Sequence, residues 1–257
     1  MVLKVTNLEK DFGGIKAVNN CNFEIKENKI TTLIGPNGAG KTTVFNLITG
    51  LIKPDKGHIH FRGNHLVGLK PYKIARLGLT RTFQLIRLFP KLTAMENMLL
   101  VRSNELERFK DLIFNPKKIR HEENLNKQRC MEFLELVGIP EKHNFLAENL
   151  SFGQQKLLEI ARALATESPL ILLDEPVGGV NPKLRDKIRN ILIKIKEQGR
   201  TLLIIEHDMN FVMKISDKVI VLDEGTVIAE GPPKKIQNNK KVLDAYLGGN
   251  KKWRKNY

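Results

Sequence analysis

A glycine-rich segment at residues 35–42 has the residue types and the spacing of a phosphate-binding loop. It matches the pattern G-x-x-x-x-G-K-S/T and consists of Gly35, Pro36, Asn37, Gly38, Ala39, Gly40, Lys41 and Thr42. Its glycines would let successive backbone N–H groups converge on phosphate oxygens, and a helix starting near Lys41 would add the positive end of its dipole. We expect Lys41 to reach the β- and γ-phosphates and the Thr42 hydroxyl to ligate Mg²⁺, with Thr43 among the nucleotide-binding residues.

Two consecutive carboxylates follow the apolar run at residues 170–173. They are Asp174 and Glu175, and in open α/β sheets ligands bind at this carboxyl end of a strand. We expect Asp174 to hold Mg²⁺ through water and Glu175 to polarise the attacking water as a general base. A turn capped by two acids is the alternative interpretation, and the phosphate loop upstream favours the catalytic one.

A histidine, His207, ends a further apolar run and is predicted to lie at the same sheet edge as Asp174. There its ring could donate a hydrogen bond to a γ-phosphate oxygen. Lone histidines are more often structural, and the position of this one favours the catalytic role. No carboxylate or cysteine completes a metal-binding set with His58, His60 or His65, so we interpret these three as solvent-facing.

A second helix start suited to an anion is predicted at residues 150–155, where the sequence reads Leu-Ser-Phe-Gly-Gln-Gln. Ser151 and Gln154 have the spacing of a capping box, and Gly153 would let a ligand approach the first turn of the helix. This segment resembles the signature motif of ATP-binding cassette (ABC) proteins, with Phe152 at a position where glycine is usual.

The resemblance to ABC proteins covers nearly the whole chain and implies further site residues. Phe12 occupies the place of the aromatic residue that stacks on adenine, where tyrosine is usual. Gln84 matches the Q-loop glutamine that links Mg²⁺ to the membrane partner, and residues 179–182 match the D-loop, with Asn181 where aspartate is common. The resemblance implies hydrolysis of ATP with Mg²⁺ as cofactor. It also implies that two cassettes face each other head to tail, with each ATP between one phosphate loop and the other chain's Ser151.

Several segments are also similar to the first ATP-binding subunit of bacterial branched-chain amino acid importers. These segments are 81–84 with 87–89, 153–155 with 158–162, 205–209 and 245–248. The similarity implies two transmembrane permease subunits, a second ABC ATPase that completes a heteromeric pair, and an extracytoplasmic solute-binding protein. It places the chain peripherally on the cytoplasmic face of the inner membrane. Urea and amide importers share much of this pattern, so the sequence leaves the solute open.

The order of the apolar runs predicts an α/β fold with a parallel sheet. Continuous apolar runs at 30–34, 170–173 and 201–205 are typical of strands buried on both faces. A helical pattern at 182–197 lies between two of these runs, and Pro182 suits its first turn. A strand, helix and strand in succession favour parallel pairing with right-handed crossovers.

The rest of the chain adds two parts to this sheet. Alternating runs at 2–7 and 20–26 predict antiparallel strands, and residues 92–165 have helical spacing without strand signals. With the resemblance, the predicted fold class is a P-loop NTPase (RecA-like) parallel-sheet core with an N-terminal antiparallel β subdomain and an inserted helical subdomain. The chain is predicted to form one ABC ATPase domain over 1–250, followed by a basic tail at 251–257. Within the domain, 1–84 and 161–250 form the nucleotide-binding core with the antiparallel β subdomain, and 85–160 form the helical subdomain.

The charge of the chain raises a rival function. The 257 residues include 43 Lys or Arg and 28 Asp or Glu, a formal net charge of +15, which suits nucleic acid, an anionic membrane surface or plain solubility. Aromatic residues make up 6% of the chain, few for stacking on bases, so we expect no nucleic acid partner. A non-hydrolysing regulatory subunit is a second rival, and the intact set of Lys41, Asp174, Glu175 and His207 argues against it.

The location and the redox state follow from what the sequence lacks. The N-terminus has no apolar signal-peptide region, and no stretch approaches the about 18 apolar residues that a spanning helix needs. We therefore expect the chain to stay in the cytoplasm. Cys21 and Cys130 have no C-x-x-C spacing or histidine partner, so we expect two reduced, ordinary thiols.

Overall fold

Two β-sheets and the helices that flank them account for most of the described chain. A computed structural model describes residues 1–82, 86–102 and 116–247. The strands are β1 (Leu3–Phe12), β2 (Ile15–Ile25), β3 (Ile30–Ile34), β4 (Lys56–Phe61), β5 (Asn64–His65), β6 (Leu79–Arg81), β7 (Leu170–Asp174), β8 (Thr201–Ile205), β9 (Lys218–Asp223) and β10 (Thr226–Gly231). The helices are α1 (Lys41–Ile48), α2 (Pro71–Arg76), α3 (Ala94–Leu99), α4 (Pro116–Val137), α5 (Phe152–Ala165), α6 (Pro182–Glu197), α7 (Met209–Ile215), α8 (Pro233–Gln237) and α9 (Lys240–Leu247).

The larger sheet has the strand order β10-β9-β3-β8-β7-β6 and is parallel apart from the β9–β10 hairpin. Strands β3, β7 and β8 are buried along their whole length, because other layers cover both faces of the sheet. The predicted strands at 30–34 and 201–205 and the predicted helix at 182–197 are confirmed. Since these strands are parallel, the segments that follow β3, β7 and β8 meet at one edge of the sheet.

The smaller sheet is antiparallel and has the order β2-β1-β4-β5. Its first two strands are longer than the predicted ones, because they continue as a hairpin to Phe12 and Ile15. The register of this hairpin shifts between Val5 and Leu8 and again between Leu8 and Lys10. Such irregularities break the alternation of apolar and polar residues, so the pattern in the sequence fades before the strand ends.

Helices α3, α4 and α5 occupy the region predicted to be helical. Their buried residues, such as Met98 and Leu134, belong to one hydrophobic cluster with Ile171 and Leu202 of the larger sheet. The opposite face of that sheet packs against α1 and the smaller sheet. The predicted boundary between residues 160 and 161 falls inside α5, which is continuous. Among the described residues, none of the helices combines the length and the hydropathy that crossing a membrane requires.

Six short elements were not predicted from the sequence: β5, β6, α2, α7, α8 and α9. Strand β6 has three residues, too few for a periodic pattern, and it is recognisable only through its pairing with β7. This pairing matters for the site, because it places Arg81 beside the end of β7.

Candidate nucleotide-binding and catalytic site

The phosphate loop connects β3 to α1, as the sequence predicts. Gly40 precedes α1 with a φ of 94°, and a Cβ atom at this position would lie 2.2 Å from the carbonyl oxygen of Ala17 on β2. The neighbouring Ala39 carbonyl accepts a hydrogen bond from the Gly225 N–H at 3.1 Å. The loop is therefore held from outside by β2 and by the turn between β9 and β10.

Gly40→Ala is expected to lower the free energy of unfolding by about 2–4 kcal/mol. A left-handed φ costs a residue with a Cβ about 1–2 kcal/mol, and the overlap with the Ala17 carbonyl would displace backbone as well. Gly38→Ala is a matched control, since Gly38 has a φ of 85° but no atom lies within 4 Å of a Cβ added there. Urea denaturation measures both variants. Equal losses in the two would contradict the tight packing of Gly40 against β2.

The side chain of Lys41 folds back over the phosphate loop. Its Nζ donates hydrogen bonds to the carbonyl oxygens of Gly35 and Pro36, each at 2.8 Å. Burial lowers the pKa of Lys41, and the carboxylates of Glu175 and Asp174 oppose this shift. The ammonium group thus lies between the loop and the two acids, where an anionic phosphate would complete its coordination.

Asp174 ends β7 as a buried carboxylate. Its Oδ2 pairs with Nη2 of Arg81 at 2.9 Å, and its backbone N–H donates to Oγ1 of Thr82 at 3.2 Å. Burial raises the pKa of Asp174, and the hydrogen bond from Arg81 opposes that shift. With the hydroxyl of Thr42 at the start of α1, this carboxylate offers the hard oxygen donors that Mg²⁺ prefers, so the residues fit the predicted ion.

Glu175 and His207 meet at the same sheet edge. The Oε1 atom of Glu175 lies 3.5 Å from Nδ1 of His207, whose side chain is 63% exposed. Glu175 has a φ of 48°, an unusual conformation for a residue with a side chain, and its N–H donates to the Ile205 carbonyl at 3.0 Å. His207 therefore lies at the sheet edge where β7 ends, as the sequence predicts, and it faces Glu175 there.

Glu206 is a buried carboxylate beside this pair, and the sequence did not predict its place in the site. Its Oε1 accepts a hydrogen bond from the Val177 N–H at 3.1 Å, and its Oε2 accepts one from the His207 N–H at 3.2 Å. One side chain thus ties the backbone after Glu175 to the backbone of His207. The signal available in the sequence was a charged residue directly after the buried run of β8.

Glu206→Gln is expected to become more stable relative to the parent chain as the pH rises. Burial raises the pKa of Glu206 above its ordinary value of 4.5, and the N–H groups of Val177 and His207 oppose this shift. A carboxyl with a raised pKa contributes stability that is present at low pH and lost as the pH rises through the folded pKa. Glutamine does not titrate, so it lacks this loss. Urea denaturation at about pH 5 and about pH 8 measures the free energy of unfolding of both chains. If the difference between variant and parent is the same at both pH values, the prediction is contradicted.

The predicted capping box at the start of α5 is confirmed. Ser151 Oγ accepts from the Gln154 N–H at 3.3 Å, and Gln154 Oε1 accepts from the Ser151 N–H at 3.0 Å. A Cβ at Gly153 would lie 2.6 Å from Cδ2 of Leu184, so glycine lets α5 and α6 approach closely. A groove of about 930 Å³ opens here between α5, residues 179–181 and α6. No phosphate-loop residue lines that groove.

Phe12 lies at the tip of the hairpin formed by β1 and β2, and the residue is 47% exposed. Lys10 Nζ is 5.4 Å from the ring centroid. The same hairpin contacts the phosphate loop through Ala17. An exposed ring on this hairpin could stack on a base, so stacking of Phe12 on adenine stays a prediction. Gln84 and the tail at 251–257 lie outside the described residues.

The histidines near the N-terminus form a small exposed group, and the two cysteines are buried. His58 Nδ1 lies 3.1 Å from His65 Nε2, and these rings with that of His60 form an exposed group. In the described ranges, no group of three or more His, Cys, Asp or Glu side chains could hold a metal ion. Cys21 and Cys130 are free, as predicted, and both are buried; burial raises the pKa of the Cys21 thiol to about 12.

Known proteins resemble the chain over almost its full length. The ABC transporter family model matches residues 18–178, and a model described as branched-chain amino acid ATP-binding cassette transporter matches residues 226–252. The high-affinity branched-chain amino acid transport ATP-binding protein LivG of Salmonella typhimurium is 44% identical over 250 residues, which cover 96% of this chain and 98% of LivG. The corresponding protein BraF of Pseudomonas aeruginosa is 42% identical over 249 residues, with 96% and 98% covered. A crystal structure of the ADP conformation of an ATP-binding cassette of an ABC transporter matches with a TM-score of 0.83 and 33% identity, over 96% of this chain and 98% of that one.

Proposed function

This chain belongs to the ABC transporter family, and we propose that it is the ATP-binding and ATP-hydrolysing subunit of a branched-chain amino acid importer. The observation that carries the proposal is the meeting of the phosphate loop, Asp174, Glu175 and His207 at one edge of the larger sheet. The assignment of the solute is based on the similarity to LivG and BraF and on the family match at residues 226–252.

The side chains at this edge have distinct roles in the proposed reaction. Backbone N–H groups of the loop and the Lys41 ammonium bind the phosphates of ATP. Thr42 and Asp174, with Gln84 as the resemblance implies, would hold Mg²⁺, which neutralises phosphate charge when it binds with the nucleotide. Glu175 accepts a proton from the attacking water, and His207 donates a hydrogen bond to a γ-phosphate oxygen.

The N-terminus of α1, which follows the phosphate loop, and the N-terminus of α5 at Ser151 are separate, which supports a composite site made by two ATPase subunits. Ser151, Gly153 and Gln154 line a groove to which no residue of the phosphate loop of the same chain contributes. In the proposed pair they contact the ATP held by the partner's phosphate loop. ATP then favours the closed pair because it binds that state more tightly, and hydrolysis reopens it.

The family implies membrane permeases as partners, and the finer assembly is part of the proposal. It comprises two permease subunits, a second and different ABC ATPase, and an extracytoplasmic solute-binding protein. The chain would lie peripherally on the cytoplasmic face of the inner membrane, where a net charge of +15 suits anionic lipid headgroups. The helical segment at 85–160 and the core at 1–84 and 161–250 remain the proposed subdomains.

Purification of a tagged Glu175→Gln chain from its host tests the assembly. Membranes are extracted in mild detergent with ATP and Mg²⁺, which should trap the closed state. Recovery of two polytopic permeases and a second ATPase is expected, and a tagged Lys41→Ala chain serves as the control that does not reach that state. Recovery of nucleic acid at physiological salt, without permeases, would contradict the proposal.

Uptake assays test the solute. A host strain that lacks the chain should lose most high-affinity uptake of labelled leucine, and the parent chain should restore it while Glu175→Gln should not. Loss of urea uptake with intact leucine uptake would support the alternative, a urea or amide importer.

A further inference from the structure

Arg81 and Thr82 together hold Asp174 at two points. Arg81 Nη2 contacts the Asp174 carboxylate at Oδ2, 2.9 Å away, and Thr82 Oγ1 accepts the Asp174 N–H at 3.2 Å. The Thr82 N–H donates to the Leu172 carbonyl at 2.9 Å, which continues the pairing of β6 with β7 beyond the end of β6. Two consecutive residues therefore contact both the backbone and the side chain of Asp174.

The guanidinium of Arg81 is itself fixed by the helix that follows the phosphate loop. Its Nη1 donates to Oδ1 of Asn46 on α1 at 2.6 Å, and its Cζ lies 5.3 Å from the centroid of the Phe45 ring. The side chains of Arg81 and Asp174 are only 5% and 4% exposed. The planar fork of arginine reaches both acceptors at once, so Arg81 links α1 to Asp174 through a buried bridge.

We propose that Arg81, supported by Thr82, is a positioning residue that orients the Asp174 carboxylate and thereby sets how strongly a divalent cation binds with the nucleotide. The ion pair engages Oδ2 and so restricts rotation of the carboxylate before a cation binds. The inference rests on the proposed nucleotide site and is independent of the transported solute. Lysine at this position keeps the charge but has no fork to hold Asn46 and Asp174 together.

The test measures the affinity of the purified full chain for ADP by calorimetry, once with Mg²⁺ and once with EDTA. The ratio of the two affinities reports the coupling between cation and nucleotide, without reference to hydrolysis. In Arg81→Lys this ratio should fall about tenfold, the effect of one charge-assisted hydrogen bond, while the affinity in EDTA stays within about twofold of the parent. A ratio equal to that of the parent, or an equal loss of affinity in both buffers, would overturn the proposal.

Two further variants keep the test decisive. Arg102→Lys alters another arginine–carboxylate pair, Arg102 Nη1 to Glu167 Oε2 at 3.2 Å, and should leave the ratio unchanged. A fall in that control as large as in Arg81→Lys would overturn the proposal. If Arg81→Lys does not fold, Asn46→Ala removes one anchor of Arg81 and leaves its charge; its ratio should fall about threefold, and an unchanged ratio would overturn the proposal. Failure of the parent chain to bind ADP at all would instead contradict the proposed function.

Discussion

Glu175→Gln is expected to bind ATP with the affinity of the parent chain and to hydrolyse it at least about a hundredfold more slowly. Glutamine preserves the size of the side chain and can still hydrogen-bond to water, but it cannot accept a proton. The backbone at this position, with its φ of 48° and its hydrogen bond to Ile205, does not depend on the carboxylate. Phosphate release measures turnover, and calorimetric titration measures ATP binding.

A matched variant distinguishes loss of the base from a general effect of the substitution. Glu141→Gln makes the same chemical change at an exposed residue of the short helix at Pro140–Lys142, away from the sheet edge. It should hydrolyse ATP at the parent rate. Hydrolysis by Glu175→Gln at that rate would show that Glu175 is not the general base.

Lys41→Ala is expected to weaken ATP binding about a hundredfold. The ammonium group already bridges the carbonyls of Gly35 and Pro36 over the loop, so it is held in place to form charge-assisted hydrogen bonds with the phosphates. Two such hydrogen bonds contribute about 1.5 kcal/mol each at the lower end of their range, which corresponds to that loss of affinity. Calorimetric titration of ATP into both chains measures the change.

The control for the lysine substitution changes the net charge by the same amount at a different position. Lys53→Ala removes one positive charge from an exposed residue and should leave ATP affinity within about twofold of the parent. An unchanged affinity in Lys41→Ala would contradict the assignment of the loop as the phosphate site. An equally large loss of ATP affinity in Lys53→Ala would show that the effect comes from the net charge of the whole chain.

The candidate residues of the site could be identified from the sequence because they lie in short contiguous segments. The phosphate loop, the acid pair at Asp174 and Glu175, and the capping box of Ser151 and Gln154 each lie within eight positions of sequence. Local rules relate such segments to backbone geometry without knowledge of the fold. The strands at 30–34 and 201–205 were predictable for a similar reason, since burial on both faces leaves an unbroken apolar run.

The connections between those segments came only from the tertiary structure. Arg81 and Asp174 are 93 positions apart, and Val177 and Glu206 are 29 apart, yet each pair is in hydrogen-bond contact. These contacts depend on the strand order β8-β7-β6, and a short strand such as β6 has too few residues to reveal its neighbour by pattern. The sequence by itself determined which groups are chemically suited to bind phosphate and to accept a proton. Sheet topology and packing decided which buried side chains hold those groups in position, because such contacts join residues that no local rule relates.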